Sequence, residues 1–158
     1  MKLKTIAAIL ALSAGTLYAQ TVDIKDAWAR ATVQGQTATG AFMKLTAKEG
    51  SKLVAVSSPV AGVAEVHEMK MDGGVMKMRA VQGGLDLPVG KAVELKPGGY
   101  HVMLMDLKVA LQKDTTIPMT LVFKDAKGVE TRSELKVPVS AAAPANAADM
   151  GHGMHGKP

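Results

Sequence analysis

Residues 67–78 read HEMKMDGGVMKM, and this segment decides how the surrounding chain is expected to fold. Methionine alternates with other residues on both sides of Asp72-Gly73-Gly74, as in strands whose side chains point to opposite faces in turn. An Asp-Gly or Gly-Gly pair between two such segments is a strong signal for a β-hairpin. We therefore predict a hairpin with strands over residues 63–71 and 75–81.

The loop of this hairpin fits two registers. A loop at Asp72-Gly73 places Met69 opposite Met76, whereas a loop at Gly73-Gly74 places Met69 opposite Met78. The sequence alone does not decide between them. In both registers the same four side chains share one face of the hairpin: His67, Met69, Met76 and Met78.

The remainder of the chain up to about Val139 reads as short strands separated by turns. Further strands are predicted at residues 22–24, 27–32, 39–46, 53–56, 92–95, 100–107, 116–123 and 131–137. Clusters such as Lys96-Pro97-Gly98-Gly99 mark turns between them, and no long amphipathic helix is indicated. Closely spaced turn signals with short strands predict an all-β fold, either a β-sandwich or a Greek-key barrel.

Histidine and methionine occur together throughout this sequence. His67-Glu68-Met69 and His101-Val102-Met103 share the pattern His-x-Met, which points both side chains to one face of a strand. Every one of the four histidines lies within two residues of a methionine. Imidazole nitrogen and thioether sulfur, without thiolate or carboxylate, are a donor set that suits Cu(I). We therefore predict a metal site formed by four residues: His67, Met78, His101 and Met103.

Other methionines fit a structural role, because methionine at alternate strand positions commonly fills the core. This prediction applies to Met43, Met71, Met105 and Met119. Trp28 and Tyr100 are likewise predicted to pack, with Tyr100 also placed to shield the edge of the metal site.

Composition excludes several classes of protein. The 158-residue chain has no cysteine, which rules out disulfides, thiolate zinc sites and cysteine-based redox chemistry. Its formal charge is +5, yet the basic residues are interleaved with acidic ones and do not form a cluster with aromatic platforms, so no nucleic acid is expected as a partner. An enzyme is also disfavoured, because no paired carboxylates and no nucleophile–base pair stand out.

Residues 1–19 have the composition of a secretory signal peptide. Lys2 and Lys4 precede the apolar run 6–12, and Leu17-Tyr18-Ala19 before Gln20 is an acceptable cleavage site. The apolar run is too short to span a bilayer, so we expect removal rather than stable membrane insertion. Export to a bacterial periplasm follows, a compartment in which cysteine tends to be oxidised.

The composition changes again after Val139, which gives three predicted segments: the signal peptide 1–19, a metal-binding β-sandwich domain 20–139, and a flexible tail 140–158. The tail opens with an alanine-rich linker and is expected to be disordered without a ligand. Its end carries further candidate ligands between glycines: Met150, His152, Met154 and His155. These imidazoles predict a second copper site, with a preference for Cu(II).

The spacing of the four core residues resembles the hallmark of the periplasmic copper chaperones called PCu(A)C. His67 and Met78 enclose ten residues, Met78 and His101 enclose twenty-two, and Met103 completes a His-x-Met motif. The second interval is one residue longer than the family pattern, and the extra residue falls in the loop-rich part 82–99. Residues 27–32, AWARAT, and 96–101, KPGGYH, also look like family sequence. The resemblance covers roughly residues 22–137.

This resemblance implies a cupredoxin-like β-sandwich that binds one Cu(I) through His67, Met78, His101 and Met103. It also implies delivery of copper to the binuclear copper site in subunit II of cytochrome c oxidase, alongside Sco-type thiol proteins. Some family members carry a His/Met-rich C-terminal extension, which residues 150–155 resemble. The protein is expected to act as a monomer.

Three other functions compete with copper delivery. A blue-copper electron carrier shares the fold but requires a cysteine ligand, which this chain lacks. A copper buffering or resistance protein uses the same ligands as a delivery chaperone, so the sequence barely separates the two. A structural sandwich with methionine as filler is the remaining alternative, and it predicts no copper binding.

Overall fold

The protein is described by a computed structural model over residues 21–145. Ten β-strands run through this part of the chain: β1 Val22–Arg30, β2 Ala38–Ala47, β3 Ser51–Ser57, β4 Ala61–Asp72, β5 Val75–Ala80, β6 Leu85–Leu87, β7 Ala92–Leu95, β8 His101–Leu107, β9 Thr116–Asp125 and β10 Glu130–Ser140. The predicted all-β architecture is therefore confirmed. In the described residues, no helix has the length and apolar character needed to cross a membrane.

The strands form two sheets that share one continuous path. The first sheet runs in the order β5-β4-β8-β2-β1, and the second runs β10-β9-β3-β6. The end of β10 joins them, because Ala29 and Arg30 of β1 pair in parallel with Val139 and Ser140. β7 pairs with the part of β2 that β8 leaves free. Non-consecutive neighbours such as β4-β8-β2 are what a Greek-key connection produces.

The main core lies between the two sheets and consists almost entirely of aliphatic side chains. Each strand contributes alternate residues, such as Val102 and Leu104 of β8 and Leu121 and Phe123 of β9. Met43 and Met119 are buried there, as predicted. Burial of this apolar surface, worth about 25 cal/mol per Å², is the main term that stabilises a sandwich.

The β4–β5 hairpin has the Gly73-Gly74 loop of the two registers that fit the sequence. Asp72 pairs with Val75, and Met69 pairs with Met78. Gly73 and Gly74 have φ angles of 58° and 82°. A type I′ loop requires positive φ at both central residues, and two glycines adopt it without steric cost. The Asp72-Gly73 register would have forced Asp72 into that conformation.

Three details of the strand prediction are corrected. The segments 22–24 and 27–32 form one strand, because a β-bulge between Lys25 and Trp28, with Asp26 at φ 53°, lets the chain continue along β2. The short strand β6 was predicted as loop. Two methionines predicted as core residues are not in the core: Met71 is 60% exposed, since the hairpin extends beyond the sandwich at this point, and Met105 is only half-buried.

Candidate metal centre

Three neighbouring strands bring the predicted ligands together on the outer face of the first sheet. His67 of β4 pairs directly with His101 of β8. Directly opposite residues of an antiparallel pair share a face, so both imidazoles project to the same side. Their ring centroids are 5.9 Å apart, and each residue is only 8% exposed. Met78 of β5 lies opposite Met69, two residues from His67, on this same face.

His101 is oriented by the turn that precedes β8. Its Nδ1 lies 3.0 Å from the carbonyl oxygen of Gly99. A carbonyl oxygen only accepts hydrogen bonds, so Nδ1 carries the proton and donates it. In the neutral ring the lone pair is therefore on Nε2, which lies 3.2 Å from the sulfur of Met78. Two electron-pair donors face each other at this distance.

His67 is oriented by a carboxylate two residues earlier on the same strand. Its Nε2 lies 3.0 Å from Oε2 of Glu65, which accepts a hydrogen bond from the ring. The lone pair of the neutral ring is then on Nδ1. That atom is buried and has no hydrogen-bond partner within residues 21–145. Leaving such a buried acceptor unpaired costs about 1–3 kcal/mol, so the arrangement calls for a functional explanation.

The spacing of these donors suits a small soft cation. For zinc, another ion with a filled d shell, metal–nitrogen bonds of about 2.0 Å and metal–sulfur bonds of about 2.3 Å span about 3.5 Å at a tetrahedral angle. The observed 3.2 Å between Nε2 of His101 and the sulfur of Met78 is close to that span. Met78 is 48% exposed, and its flexible thioether has room to adjust.

Met103 lies on the same face, one pair of residues further along β8. It pairs with Glu65 on one side and with Gly40 of β2 on the other. Met103, Met69 and His101 line a cavity of about 330 Å³ beside the two histidines. The thioether of Met103 is thus adjacent to the histidine pair, on the side away from the hairpin.

An aromatic pair forms the wall of the site next to His101. Trp28 and Phe42 are buried but lie on the outer face of the sheet, with ring centroids 4.6 Å apart. The Phe42 ring is 6.5 Å from the imidazole of His101. The guanidinium carbon of Arg30 lies 5.5 Å from the centre of the Phe42 ring and also lines the cavity. One side of the site is therefore apolar, and the guanidinium of Arg30 places a positive charge at its rim.

The four core ligands predicted from the sequence converge on one face. His67, Met78 and His101 form the centre of the cluster, and Met103 borders it. The predicted tail ligands, Met150, His152, Met154 and His155, lie outside the described residues. Tyr100 is 36% exposed next to the site. Sequence reasoning missed Glu65, Phe42 and Arg30, of which only Glu65 had a local signal, its position two residues before His67.

This chain has a Greek-key β-sandwich with a histidine–methionine cluster on one outer face. These features place it in the cupredoxin-like class of proteins. The chain belongs to the LpqE-like family, whose profile matches residues 22–139 and whose members are described as predicted lipoproteins. A relative described in the same way, Lxx21020 of Leifsonia xyli subsp. xyli, is 33% identical over 118 residues, covering 75% of this chain and 69% of its own. RP573 of Rickettsia prowazekii is 35% identical over 103 residues, and this match spans 57% of that protein.

Solved structures confirm the resemblance to PCu(A)C domains and the cupredoxin-like fold. The copper-bound PCuAC domain from PmoF2 superposes with a TM-score of 0.59 at 25% identity, covering 77% of this chain and 94% of that domain. The Cu(I) form of DR1885 from Deinococcus radiodurans superposes with a TM-score of 0.58 at 28% identity, covering 81% of this chain and 83% of that one. Both structures were determined with copper bound.

Proposed function

We propose that this protein is a periplasmic copper chaperone that holds one Cu(I) through Nδ1 of His67, Nε2 of His101 and the sulfurs of Met78 and Met103. The observation that carries the proposal is the unpaired Nδ1 of buried His67, next to a second buried imidazole, His101, whose Nε2 faces the sulfur of Met78 at 3.2 Å. Glu65 accepts a hydrogen bond from one nitrogen of His67, and the Gly99 carbonyl accepts one from a nitrogen of His101. The other nitrogen of each ring is left free for a metal. The copper-bound relatives support copper as the cargo.

The donor set favours Cu(I) over harder ions. All four donors are neutral, and two are thioethers, which bind soft cations and have no proton to lose. The buried imidazoles and the Trp28–Phe42 wall limit access of water on one side. Met78 is half exposed on the other side, so a partner protein has access to one ligand of the site. A carrier needs such an open side in order to release its metal.

Glu65 is expected to position His67, which gives a test of the ligand assignment. Glu65→Leu removes the hydrogen bond that places the lone pair on Nδ1, and changes of this kind typically lower metal affinity about 10–100-fold. Glu65→Gln is the matched control, because its amide oxygen still accepts the bond, and a smaller loss is expected. Competition with a chromogenic Cu(I) chelator measures the affinity, and ¹⁵N NMR of the His67 ring reports its tautomer. Wild-type affinity and tautomer in Glu65→Leu would refute the assignment.

We further propose delivery of copper to the binuclear site of cytochrome c oxidase subunit II, with Sco-type thiol proteins acting alongside. Neutral donors bind Cu(I) more weakly than a pair of thiolates, so transfer to a dithiolate acceptor is downhill. The mild positive charge, +3 after loss of Lys2 and Lys4 from the total of +5, favours acidic partners weakly. Arg30 provides one such charge at the rim of the cavity.

Mixing the Cu(I)-loaded protein with the soluble copper domain of subunit II tests delivery. We expect copper to leave this protein, and the reverse transfer to be unfavourable. The same experiment with a Sco-type protein as acceptor provides the comparison. Retention of copper here, together with normal oxidase activity in cells that lack the protein under low copper, would instead establish a buffering protein without a dedicated target.

The tail is proposed to bind a second copper, as Cu(II), through His152 and His155 with Met150 and Met154 nearby. The last strand ends beside the core site, because Ser140 pairs with Arg30, which lines the cavity next to His101. A segment tethered at that point holds its metal at a high effective concentration near the core ligands.

Removal of residues 141–158 is expected to abolish Cu(II) binding and to leave Cu(I) binding at the core site unchanged. Titration with each oxidation state, on the full mature chain and on the shortened one, measures both. The two forms share the mature N-terminus, so this terminus is the internal control. An unchanged Cu(II) titration after truncation would show that the tail is not the second site.

A further inference from the structure

The outer half of the β4–β5 hairpin extends beyond the rest of its sheet. β8 begins at His101, which pairs with His67, and the pairing of β4 with β8 goes no further toward the hairpin loop. β4 and β5 continue to pair with each other as far as Asp72 and Val75. Residues 70–79 are all exposed. This overhanging segment, residues 68–79, therefore presents both of its faces to solvent over most of its length.

The two faces of the overhang differ completely in chemistry. One face carries two ion pairs, between Arg79 and Glu68 and between Lys77 and Asp72, each with an N–O distance of 2.8 Å. The other face is the one that carries His67, and it has no charged side chain along the overhang. Its four side chains are all thioethers: Met69, Met71, Met76 and Met78.

Packing does not explain this row of methionines. Solvent-facing positions of an antiparallel sheet normally carry polar residues, and each exposed apolar side chain forgoes the gain from burial. Met71 and Met76 are 60% and 47% exposed, in contrast to the buried core methionines Met43 and Met119. The opposite face of the same strands shows that this hairpin accommodates charged residues.

The register arranges the thioethers in pairs that lead to the histidines. Met71 pairs with Met76 next to the loop, Met69 pairs with Met78 behind them, and His67 pairs with His101 at the inner end. Opposite Cβ atoms in such a ladder are about 4.5–5.5 Å apart. Two sulfurs bound to one Cu(I) in a line are about 4.6 Å apart if each bond is about 2.3 Å, a span that flexible methionine side chains can adopt.

We propose that Met71 and Met76 form an outer Cu(I) site, at which copper is taken up or released, and that Met69 and Met78 connect it to the histidines. The inference rests on the proposed Cu(I) site at His67 and His101. Successive pairs are about 6.6–6.8 Å apart along the strands. Between the methionine pairs, one copper–sulfur bond forms as another breaks, and at the inner end copper–nitrogen bonds to the histidines replace copper–sulfur bonds. The metal remains Cu(I), and no proton or electron is transferred.

Exposure is high on the methionine pairs of the hairpin, with Met76 at 47% and Met78 at 48%, and low at the two histidines, which fits uptake from outside. The outer pair is exposed, Met69 is half-buried, and both histidines are buried. Copper is also expected to bind more strongly at the inner end of the path, because the outer site offers two thioethers whereas the core site offers two imidazoles in addition to thioethers. Copper that arrives at the tip therefore moves toward the core site, and a partner with stronger ligands draws it out along the same face.

Methionine methyl NMR on the full mature chain tests the outer site, with Cu(I) supplied anaerobically as its acetonitrile complex. The first equivalent is expected to shift the Met78 and Met103 methyls, and excess copper is expected to shift those of Met71 and Met76. In the double variant Met71→Leu/Met76→Leu, the affinity for the first equivalent is expected to remain that of the wild type, while Cu(I) loading becomes several times slower. Met105→Leu, a methionine of the same sheet away from the hairpin, is the control.

The outcomes separate this inference from the proposed core site. If the core signals respond while Met71 and Met76 do not shift at any copper concentration, there is no outer site. If the double variant loads at the wild-type rate, copper does not travel along this face. If the Met71 and Met76 methyls shift but those of Met78 and Met103 never respond, the core site itself is wrong, and the proposed path is wrong with it.

Discussion

Met78→Leu and Met103→Leu are each expected to lower Cu(I) affinity by more than the 10–100-fold that changes outside the ligand shell produce. Both thioethers are proposed ligands, and the sulfur of Met78 lies 3.2 Å from Nε2 of His101. Leucine approximately conserves the apolar volume of methionine, so the cost in unfolding free energy is expected to stay below about 1.5 kcal/mol. Chelator competition measures the affinity, and urea unfolding of the metal-free proteins measures the stability.

Met119→Leu is the matched control for this pair of variants. Met119 lies in the main core and is 1% exposed, so its sulfur has no access to the site. The same substitution is therefore expected to leave copper binding intact. If all three variants bind copper alike, the division of the methionines into ligands and core residues is wrong.

Relative to the wild type, His67→Leu is expected to increase the stability of the metal-free protein and to decrease the stability of the copper-loaded protein. The substitution removes the buried, unpaired Nδ1, and Glu65 is about half exposed and can bind water instead. A gain on the order of 1 kcal/mol is expected in the metal-free form. Copper at a thousand times its dissociation constant stabilises the wild type by about 4.1 kcal/mol, and the variant is expected to lose this contribution at the core site.

Urea unfolding of both proteins, without Cu(I) and with free Cu(I) buffered at a thousand times the dissociation constant of the wild type, measures the two effects. His101→Leu does not serve as the control, because it also removes the hydrogen bond to Gly99. Val63→Leu, on the same strand and outside the cluster, is suitable and is expected to change neither quantity appreciably. A metal-free His67→Leu protein that is clearly less stable than the wild type would assign His67 a structural role.

Local sequence signals predicted most of the strands and the core of the site. Alternation and turn residues located β4, β5 and β8, and the His-x-Met spacing placed His67, His101 and Met103 on strand faces. These features depend on neighbours within a few residues, which the sequence contains directly. The sequence did not decide the register of the hairpin, because Asp-Gly and Gly-Gly both form tight loops. The choice between the two registers depends on which two residues adopt positive φ angles, and in the structure these are Gly73 and Gly74.

The surroundings of the site depend on pairings between distant segments and were not predicted. Phe42 reaches His101 only because β2 lies between β1 and β8, and Arg30 reaches the cavity by the same arrangement. Met71 was assigned to the core because alternation gives the face of a strand but not the length of its neighbour. The pairing of β8 with β4 stops at His67, so β4 has no neighbour on that side beyond this residue and its outer face is open to solvent there.

X-ray absorption on the full mature chain with one equivalent of Cu(I) tests the central claim most directly. Ligation by His67, His101, Met78 and Met103 predicts a first shell with two nitrogen and two sulfur neighbours. The variant His67→Leu is expected to lose one nitrogen from that shell, and Met78→Leu one sulfur. A wild-type spectrum with only nitrogen and oxygen neighbours, and no sulfur, would contradict the assignment of this cluster as the copper site.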